Sequence, residues 1–248
     1  MDLAERVQPI EQRHPWEVAR AALFLRILEQ CGALGATRVL DVGAGDAWLA
    51  GRVVERLPAE AQVTCWDPNY RDEDLADEQR PPGLRLTSLR PSGVFQGVLI
   101  LDVIEHVRDD AGFVREVVTG SLEPGGWALV SVPAYQSLYT SHDEALHHVR
   151  RYSPRGCRAT LTESGLRVER EGSLFTSLLA VRALQAAAER VRGSRHDDGH
   201  GVGRWRGGPR LSRSLAEFLG AEGRLLLGLS ARGIRLPGLS YWAYCRRR

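Results

Sequence analysis

The sequence predicts an α/β fold with a doubly wound sheet that is mainly parallel and has helices on both faces. Two observations support this prediction. Short, apolar, β-branched segments alternate with helical segments through the first two thirds of the chain, and this order is typical of a parallel sheet. The first of these segments also ends in a glycine turn that leads into a helix, which is a feature of Rossmann-like folds.

The elements follow one another in the order that such a sheet requires. Apolar residues spaced three and four apart predict an amphipathic helix at residues 16–30. Five predicted strands follow, most of them separated by helical segments, at residues 38–42, 62–66, 84–89, 97–101 and 127–132. A sheet of this kind binds its ligand at the carboxyl ends of its strands.

The last third of the chain departs from this alternation. Residues 167–173 and 240–246 alternate like strands, and helical segments at 174–191 and 211–232 lie between them. We interpret the two strands as a hairpin-like pair with an antiparallel C-terminal strand at the sheet edge. Residues 193–209 are rich in Gly and Arg and almost free of aliphatic side chains, which predicts a mobile loop or lid, or a solvated insertion without a function.

Length and composition are those of a single globular unit. At 248 residues the chain suits one large α/β domain. We predict one domain over residues 1–248, with an N-terminal helical cap at 1–35 and a helical and loop insertion at 174–235. The hydrophobic fraction of 43% and the charged fraction of 26% exclude a fibrous or disordered protein.

Charge and apolar patterning restrict the partners and the compartment. The net charge of +2 and the scattered arginines provide no basic stripe for nucleic acid. The N-terminal residues are charged, and no run of about 18 apolar residues is present to span a bilayer. We therefore expect a cytoplasmic protein with no stable membrane insertion, whose four widely spaced cysteines are free thiols.

The glycine turn after the first predicted strand is the most informative segment. Gly43 and Gly45 let the chain turn sharply and let the backbone approach a ligand closely. Trp48 stands where a dinucleotide-binding turn would have its third glycine, so a bound pyrophosphate is disfavoured. Asp41 precedes the turn and suits a ligand with a positive charge, such as the amino-acid end of S-adenosylmethionine.

Asp67 is the second informative residue. It follows the second predicted strand, roughly twenty residues beyond the glycine turn. A carboxylate in this position accepts two hydrogen bonds from the vicinal hydroxyls of a ribose. Together with the turn at residues 41–45, it indicates a nucleoside-containing ligand.

Several motifs in a fixed order resemble one enzyme family. They are LDVGAGDA at 40–47, WDPN at 66–69, LDVIEHVRDD at 101–110 and EPGGWALVSVPA at 123–134, together with HPWEVAR at 14–20, DEALHHVRRYS at 143–153 and the closing LPGLSYWAYCRRR. With this set the sequence resembles the class I S-adenosylmethionine-dependent methyltransferases, and within them the bacterial type 11 and type 12 group. The resemblance implies an enzyme that transfers a methyl group from S-adenosylmethionine to a small molecule, with S-adenosylhomocysteine as the product.

The resemblance also implies where the cofactor binds. Asp41, Gly43 and Gly45 would contact its methionine part, and Asp67 its ribose. The other residues implied at the cofactor are Pro68, Ser88 and Leu89 beside the adenine, Asp102 and Val103 after the fourth strand, and Trp16, whose ring favours the cationic donor. The sequence departs from the family at Ser88 and Leu89, where relatives often have an Asp, and at His147, where relatives commonly have a Gly.

A polar and aromatic segment at residues 134–152 follows the fifth predicted strand and so begins at the ligand edge. We interpret it as a substrate wall that carries a general base, with His148 or His106 as the candidates and Tyr135 as a further catalytic candidate. An alternative is that Asp143, His148 and the two arginines Arg150 and Arg151 form a structural network that only pins the loop in place.

No metal is expected at this loop. The ligand set that the sequence offers consists of His142, Asp143, His147 and His148. Adjacent histidines rarely point at one ion, and methyl transfer from a sulfonium mainly needs orientation and a dry pocket.

Other functions share parts of this pattern. A nicotinamide-dependent oxidoreductase has the same fold, but Trp48 argues against it. A silent S-adenosylmethionine-binding partner, or a protein that uses this ligand for a reaction other than methyl transfer, is the main alternative. The leucine-rich segments at 174–191 and 211–232 would cover the sheet, form a homodimer interface or contact a lipid-linked substrate. The sequence does not determine the acceptor, nor whether O, N or C is methylated.

Overall fold

The computed structural model describes residues 13–76, 80–192 and 207–248. Within these residues the strands are β1 Arg38–Val42, β2 Gln62–Trp66, β3 Leu84–Thr87, β4 Phe95–Leu101, β5 Leu122–Pro133, β6 Leu166–Leu174 and β7 Ser240–Arg247. The α-helices are α1 Pro15–Gln30, α2 Trp48–Val54, α3 Asp72–Leu75, α4 Asp110–Ser121, α5 Ser141–Ala145, α6 Pro154–Glu163, α7 Thr176–Arg192 and α8 Pro209–Ala231. A short 3-10 helix, Ile104–His106, follows β4.

The seven strands form one sheet in the order β3-β2-β1-β4-β5-β7-β6. The neighbouring pairs from β3 to β5 are parallel, whereas β7 is antiparallel to both β5 and β6. The predicted Rossmann-like α/β fold is therefore confirmed. The chain order reverses between β1 and β4, and a crevice for a ligand forms at such a switch point.

The C-terminal strand is antiparallel, as predicted, but it lies between β5 and β6, so that β6 occupies the edge. The burial of each strand explains this placement. Tyr241, Trp242 and Tyr244 of β7 are almost completely buried, as expected of a strand covered on both faces and paired on both sides. Exposed and buried residues are mixed along β6, which suits an edge.

Local interactions set two element boundaries, and the first of them differs from the predicted end of the third strand at residue 89. Strand β3 ends at Thr87, because the Thr87 hydroxyl accepts a hydrogen bond from the Leu89 N–H and donates one to the Leu89 carbonyl, which forms a turn. Helix α2 begins at Trp48, since Ala47 has a left-handed backbone conformation with φ of 57° that a helix does not accommodate.

Helix α8 packs closely on α1. A Cβ atom at Gly223 would lie 2.2 Å from Leu23, so a side chain there would push the two helices apart. The predicted loop at 193–209 lies outside the described residues from 193 to 206, and Pro209 already begins α8. Among the helices in the described part of the chain, none is both long enough and apolar enough to cross a bilayer.

Candidate active site

A cavity of about 690 Å³ lies at the carboxyl ends of β1, β2 and β4. Gly43 and Gly45 line it after β1, Asp67 and Pro68 after β2, and Asp102 and Val103 after β4, with Trp16 of α1 on another wall. The sheet therefore brings together predicted cofactor residues that are far apart in the sequence. Their direct contact with a cofactor stays a prediction.

The glycine turn is in close contact with the end of β4. Gly43 has φ of 64°, and a Cβ atom at this position would lie 2.7 Å from Cγ2 of Val103. The Gly43 N–H donates a hydrogen bond of 2.7 Å to the Trp66 carbonyl, which fixes the turn on β2. Only glycine readily adopts this backbone conformation and also packs this close to the Val103 side chain.

Asp67 is joined directly to the glycine turn. Its Oδ2 atom accepts the Gly45 N–H at 3.1 Å, and its Oδ1 atom accepts the Asn69 N–H at 2.9 Å. The carboxylate is buried, with 7% of its residue surface exposed, yet it lines the cavity. Each oxygen keeps a further acceptor site, so the oriented carboxylate is able to accept two hydroxyl groups.

Asp41 lies behind the turn. It lines a small cavity of about 40 Å³ together with Arg13, Glu17 and Arg20, and Gly43 borders both this cavity and the large one. Burial raises the pKa of the Asp41 carboxyl to about 7. The carboxyl is therefore close to its titration point near neutral pH.

Arg20 is a residue of the site that the sequence analysis missed. It lines the large cavity, forms an ion pair with Asp102, and holds its guanidinium 4.4 Å from the centre of the Trp16 ring. Burial lowers the Arg20 pKa to about 10, which leaves the side chain charged at neutral pH. The four-residue spacing of Trp16 and Arg20, which puts both on one face of α1, was an available signal.

Besides Asp41, which lies behind the turn, three predicted residues are absent from the lining of this cavity. Ser88 and Leu89 lie in the turn after β3, where 77% of the Leu89 surface is exposed. Tyr135 has φ of 64° and packs against a hydrophobic cluster that includes Tyr152. The early end of β3 explains the first two positions, and the turn at Tyr135 explains the third.

The loop after β5 is pinned by one buried carboxylate. Asp143 has no exposed surface and accepts hydrogen bonds from the Thr140 N–H at 3.0 Å, Arg151 Nε at 2.7 Å and Arg182 Nη2 at 2.9 Å. Its Oδ1 atom lies 2.9 Å from Nδ1 of His148. Burial opposes ionisation of Asp143, but the bonds from His148 and Arg151 lower the pKa of this carboxyl well below its ordinary value.

The two histidine candidates lie together on the wall of the cavity. The rings of His106 and His148 are 4.8 Å apart between centroids and meet edge to face. Glu105 also lines the cavity, although its residue has no exposed surface. Neither of its carboxyl oxygens has a hydrogen-bond partner, and burial raises its pKa to about 8. The sequence analysis did not consider Glu105, because only the fold turns it inward.

Helix α7 forms the apolar side of the cavity. Phe175, Leu178 and Val181 line this wall, and Arg182 on the same helix is bound to Asp143. His147 also lines the cavity and has φ of 58°, a conformation that favours the glycine found in relatives. The cavity lining thus combines an apolar helix with the imidazoles of His106, His142, His147 and His148.

Sequence comparisons identify a family and a relative. A family model described as a methyltransferase domain matches residues 11–171. A ubiquinone biosynthesis O-methyltransferase of Methylocella silvestris is 38% identical over 99 residues, a match that covers 36% of this chain. The matched part spans 37% of the length of that relative.

Solved structures show the same fold at low sequence identity. The N-methyltransferase NodS of Bradyrhizobium japonicum, in complex with S-adenosylhomocysteine, has a TM-score of 0.57 at 12% identity, with 99% of this chain and 94% of that chain covered. The [4+2]-cyclase SpnF has a TM-score of 0.55 at 17% identity, with coverages of 95% and 83%. A sarcosine dimethylglycine methyltransferase assigned in Galdieria sulphuraria has a TM-score of 0.53 at 15% identity, with coverages of 92% and 84%.

Proposed function

This chain belongs to the methyltransferase domain family, and from that premise we propose that it transfers the methyl group of S-adenosylmethionine to a hydroxyl group of a small molecule. One observation carries the proposal. The hydrogen bond from the Gly45 N–H to Asp67 joins the glycine turn to an oriented carboxylate at the mouth of the cavity. This arrangement fits a nucleoside whose ribose lies on Asp67 and whose charged end reaches the turn.

The cofactor is assigned to the side of the cavity formed by the strand ends. Its amino-acid end is assigned to Gly43, which borders both cavities, with Asp41 behind the turn as the opposite charge to the ammonium group and Arg20 on the wall as the opposite charge to the carboxylate group. One face of the Trp16 ring already contacts Arg20, which leaves the other face for the sulfonium. Pro68 lies beside the adenine, and Asp102 and Val103 flank the cofactor from β4. The adenine contacts predicted for Ser88 and Leu89 require the turn after β3 to move inward.

The acceptor is assigned to the opposite side, between α7 and the histidine wall. Leu178 and Val181 suit an apolar body, and His106 and His148 suit a hydroxyl that must lose a proton. The name of the Methylocella silvestris relative favours oxygen over nitrogen or carbon as the methylated atom. Methyl transfer then needs two substrates held in line within one cavity.

We also propose the compartment, the class of acceptor and the oligomeric state. Four free thiols, three of them buried, suit the reducing cytoplasm of a bacterium. A small-molecule acceptor fits a cavity of about 690 Å³ better than nucleic acid does. A homodimer interface would bury the exposed apolar side chains of Leu184 on α7 and of Phe218 and Leu225 on α8.

The test is product formation from methyl-deuterated S-adenosylmethionine. The purified protein is incubated with a panel of phenols and enols, and S-adenosylhomocysteine and labelled products are measured by mass spectrometry. We expect equal amounts of S-adenosylhomocysteine and one methyl ether, and at least about tenfold less of both with the Asp67→Asn variant at subsaturating S-adenosylmethionine. A protein that binds S-adenosylhomocysteine but converts its acceptor without methyl transfer would favour the alternative of a reaction like that named for the cyclase SpnF.

A further inference from the structure

Three side chains with metal-binding atoms converge on the acceptor side of the cavity. Glu105 and His106 belong to the short helix after β4, and His148 belongs to the loop after β5. One ligand atom of each residue lies within 4.8 Å of those of the other two. All three residues line the cavity, so one side of the cluster is open to a small molecule.

Glu105 is the least explained side chain of the site. It is completely buried, and neither carboxyl oxygen has a hydrogen-bond partner. Native proteins seldom leave a buried carboxyl unpartnered, since its desolvation is uncompensated. The nearby cation Arg20 is already paired with Asp102. A bound cation beside His106 and His148 would give the Glu105 carboxylate its missing partner.

The hydrogen bond of His148 prepares its ring to bind an ion. Asp143 accepts hydrogen bonds from the cations Arg151 and Arg182 and from the N–H and hydroxyl groups of Thr140, so its carboxyl acts as an acceptor toward its neighbours. Nδ1 of His148 therefore donates a hydrogen bond to Asp143, and Nε2 is the ring atom that remains to bind an ion. Metal-binding histidines are oriented by a carboxylate in this way.

We propose that Glu105, His106 and His148 bind a divalent transition-metal ion of the Zn²⁺ type, which takes the hydroxyl oxygen of the acceptor as a further ligand. Two imidazoles and one carboxylate with an open position are a known catalytic zinc set. An ion with bonds of about 2.0–2.2 Å joins two ligand atoms that are at most about 4.4 Å apart. The ligand atoms of the three residues lie within 4.8 Å of one another, so a slight rotation of one side chain brings all of them within bonding distance of one ion. The inference rests on the proposed function, whose acceptor side it specifies.

The sequence analysis expected no metal because adjacent histidines rarely point at one ion, and the ligand set that it considered was His142, Asp143, His147 and His148. Asp143 instead holds the His148 ring from behind. The carboxylate of the proposed site is that of Glu105, which lies far from His148 in the sequence but close to it in the fold.

The ion has a defined part in the reaction. A hydroxyl group bound to a divalent ion loses its proton more easily, because the metal charge stabilises the oxyanion. The proton passes to water in the cavity. The oxygen then forms a bond to the methyl carbon as the bond from carbon to sulfur breaks, and sulfur keeps the electron pair. The products are a methyl ether, S-adenosylhomocysteine and one proton.

The test is metal binding by the full-length protein after treatment with EDTA and removal of the chelator. Zn²⁺ is titrated by calorimetry, and Co²⁺ is followed through its visible absorption bands, which report nitrogen ligation. We expect one ion per chain. The Glu105→Gln and His148→Ala variants should each bind Zn²⁺ at least about 100-fold more weakly, while His147→Asn, which removes an imidazole of the same wall, should bind it like the unmodified protein.

Affinity for S-adenosylhomocysteine is measured on the same samples, and it separates the two proposals. Normal S-adenosylhomocysteine binding without Zn²⁺ or Co²⁺ uptake would overturn the metal site alone. Metal uptake without S-adenosylhomocysteine binding would overturn the proposed function and leave the metal site standing. Should His148→Ala lose both ligands through misfolding, Glu105→Gln decides, since it keeps the shape of the side chain. Unchanged Zn²⁺ affinity in Glu105→Gln would refute the site.

Discussion

A Cβ atom at Gly43 would lie 2.7 Å from Cγ2 of Val103. This contact joins the turn after β1 to the end of β4 across the switch point of the sheet. Because Gly43 also has φ of 64°, the position rejects a side chain for two reasons, one in the backbone and one in packing. The backbone of Gly43 and the side chain of Val103 therefore form adjoining parts of the cavity wall.

Replacing Gly43 by Ala should destabilise the protein and impair cofactor binding. A left-handed backbone costs about 1–2 kcal/mol for alanine, and crowding costs typically 1–3 kcal/mol more. We expect the free energy of unfolding in urea to fall by about 2–5 kcal/mol. Gly125→Ala is the matched control, since Gly125 has φ of 74° and nothing within 4 Å of its Cβ position. Equal losses in the two variants would show that Val103 does not constrain the turn.

Asp41 should make cofactor binding depend on pH. Burial raises its pKa to about 7 in the free protein, whereas a bound ammonium group favours the ionised carboxylate. Affinity for S-adenosylhomocysteine should therefore rise by up to about fivefold from pH 6 to pH 7 and about tenfold from pH 6 to pH 8, and level off above pH 8. Titrations at pH 6, 7 and 8 measure this, and Asp41→Asn should remove the slope. The same slope in the variant would assign the proton to another group.

The raised pKa of Asp41 also predicts how stability changes with pH. The unfolded carboxyl has a pKa of about 3.9, so the folded state holds the proton more tightly. The contribution of Asp41 to stability is complete below pH 4 and is lost as pH rises to about 7. Melting curves of the cofactor-free protein should show that Asp41→Asn gains stability relative to the unmodified protein as pH rises from 4 to 7. A constant difference would contradict the assigned pKa.

His148→Ala should reduce turnover by about 10²–10⁴-fold and leave the affinity for S-adenosylhomocysteine nearly unchanged. Whether the ring binds a metal ion or accepts a proton, it acts on the acceptor and not on the cofactor. Initial rates with a saturating acceptor provide the measurement, with His147→Asn as the control. A loss smaller than about tenfold would mean that positioning alone accounts for catalysis.

Arg182→Met should weaken acceptor binding rather than cofactor binding. Arg182 holds α7 on Asp143 with a hydrogen bond of 2.9 Å, and losing a charged hydrogen bond costs about 1.5–3 kcal/mol. We expect KM for the acceptor to rise and S-adenosylhomocysteine affinity to be kept. Arg213→Met on the exposed surface of α8 is the control. An unchanged KM would show that α7 does not shape the acceptor site.

Local sequence patterns were enough to predict the elements that form the strand-end side of the cavity. The strands β1 and β2, the glycine turn and Asp67 follow from short-range signals: β-branched runs, glycines that need positive φ, and a carboxylate at a strand end. Their meeting point follows from the topology of parallel strands. The fold class and the family were predictable for the same reason.

The acceptor half depends on contacts between distant segments. Glu105 reads as an ordinary charged residue until β4 and the loop after β5 enclose it, and α7 becomes a cavity wall only when Arg182 binds Asp143. Ser88 and Leu89 were assigned by analogy with relatives that carry an Asp there, and the turn formed by Thr87 keeps Leu89 at the surface. Periodicity and motif spacing carry no information on such contacts.

A calorimetric titration of S-adenosylhomocysteine into the unmodified protein and into Asp67→Asn tests the central claim most directly. Asp67 lies at the point where the turn and β2 meet, and asparagine keeps its size while removing its charge. We predict one S-adenosylhomocysteine per chain, and an affinity about 10- to 150-fold lower in the variant, since a charged hydrogen bond contributes about 1.5–3 kcal/mol. No binding by the unmodified protein, or equal affinities in the two proteins, would contradict the assignment of this cavity as a cofactor site.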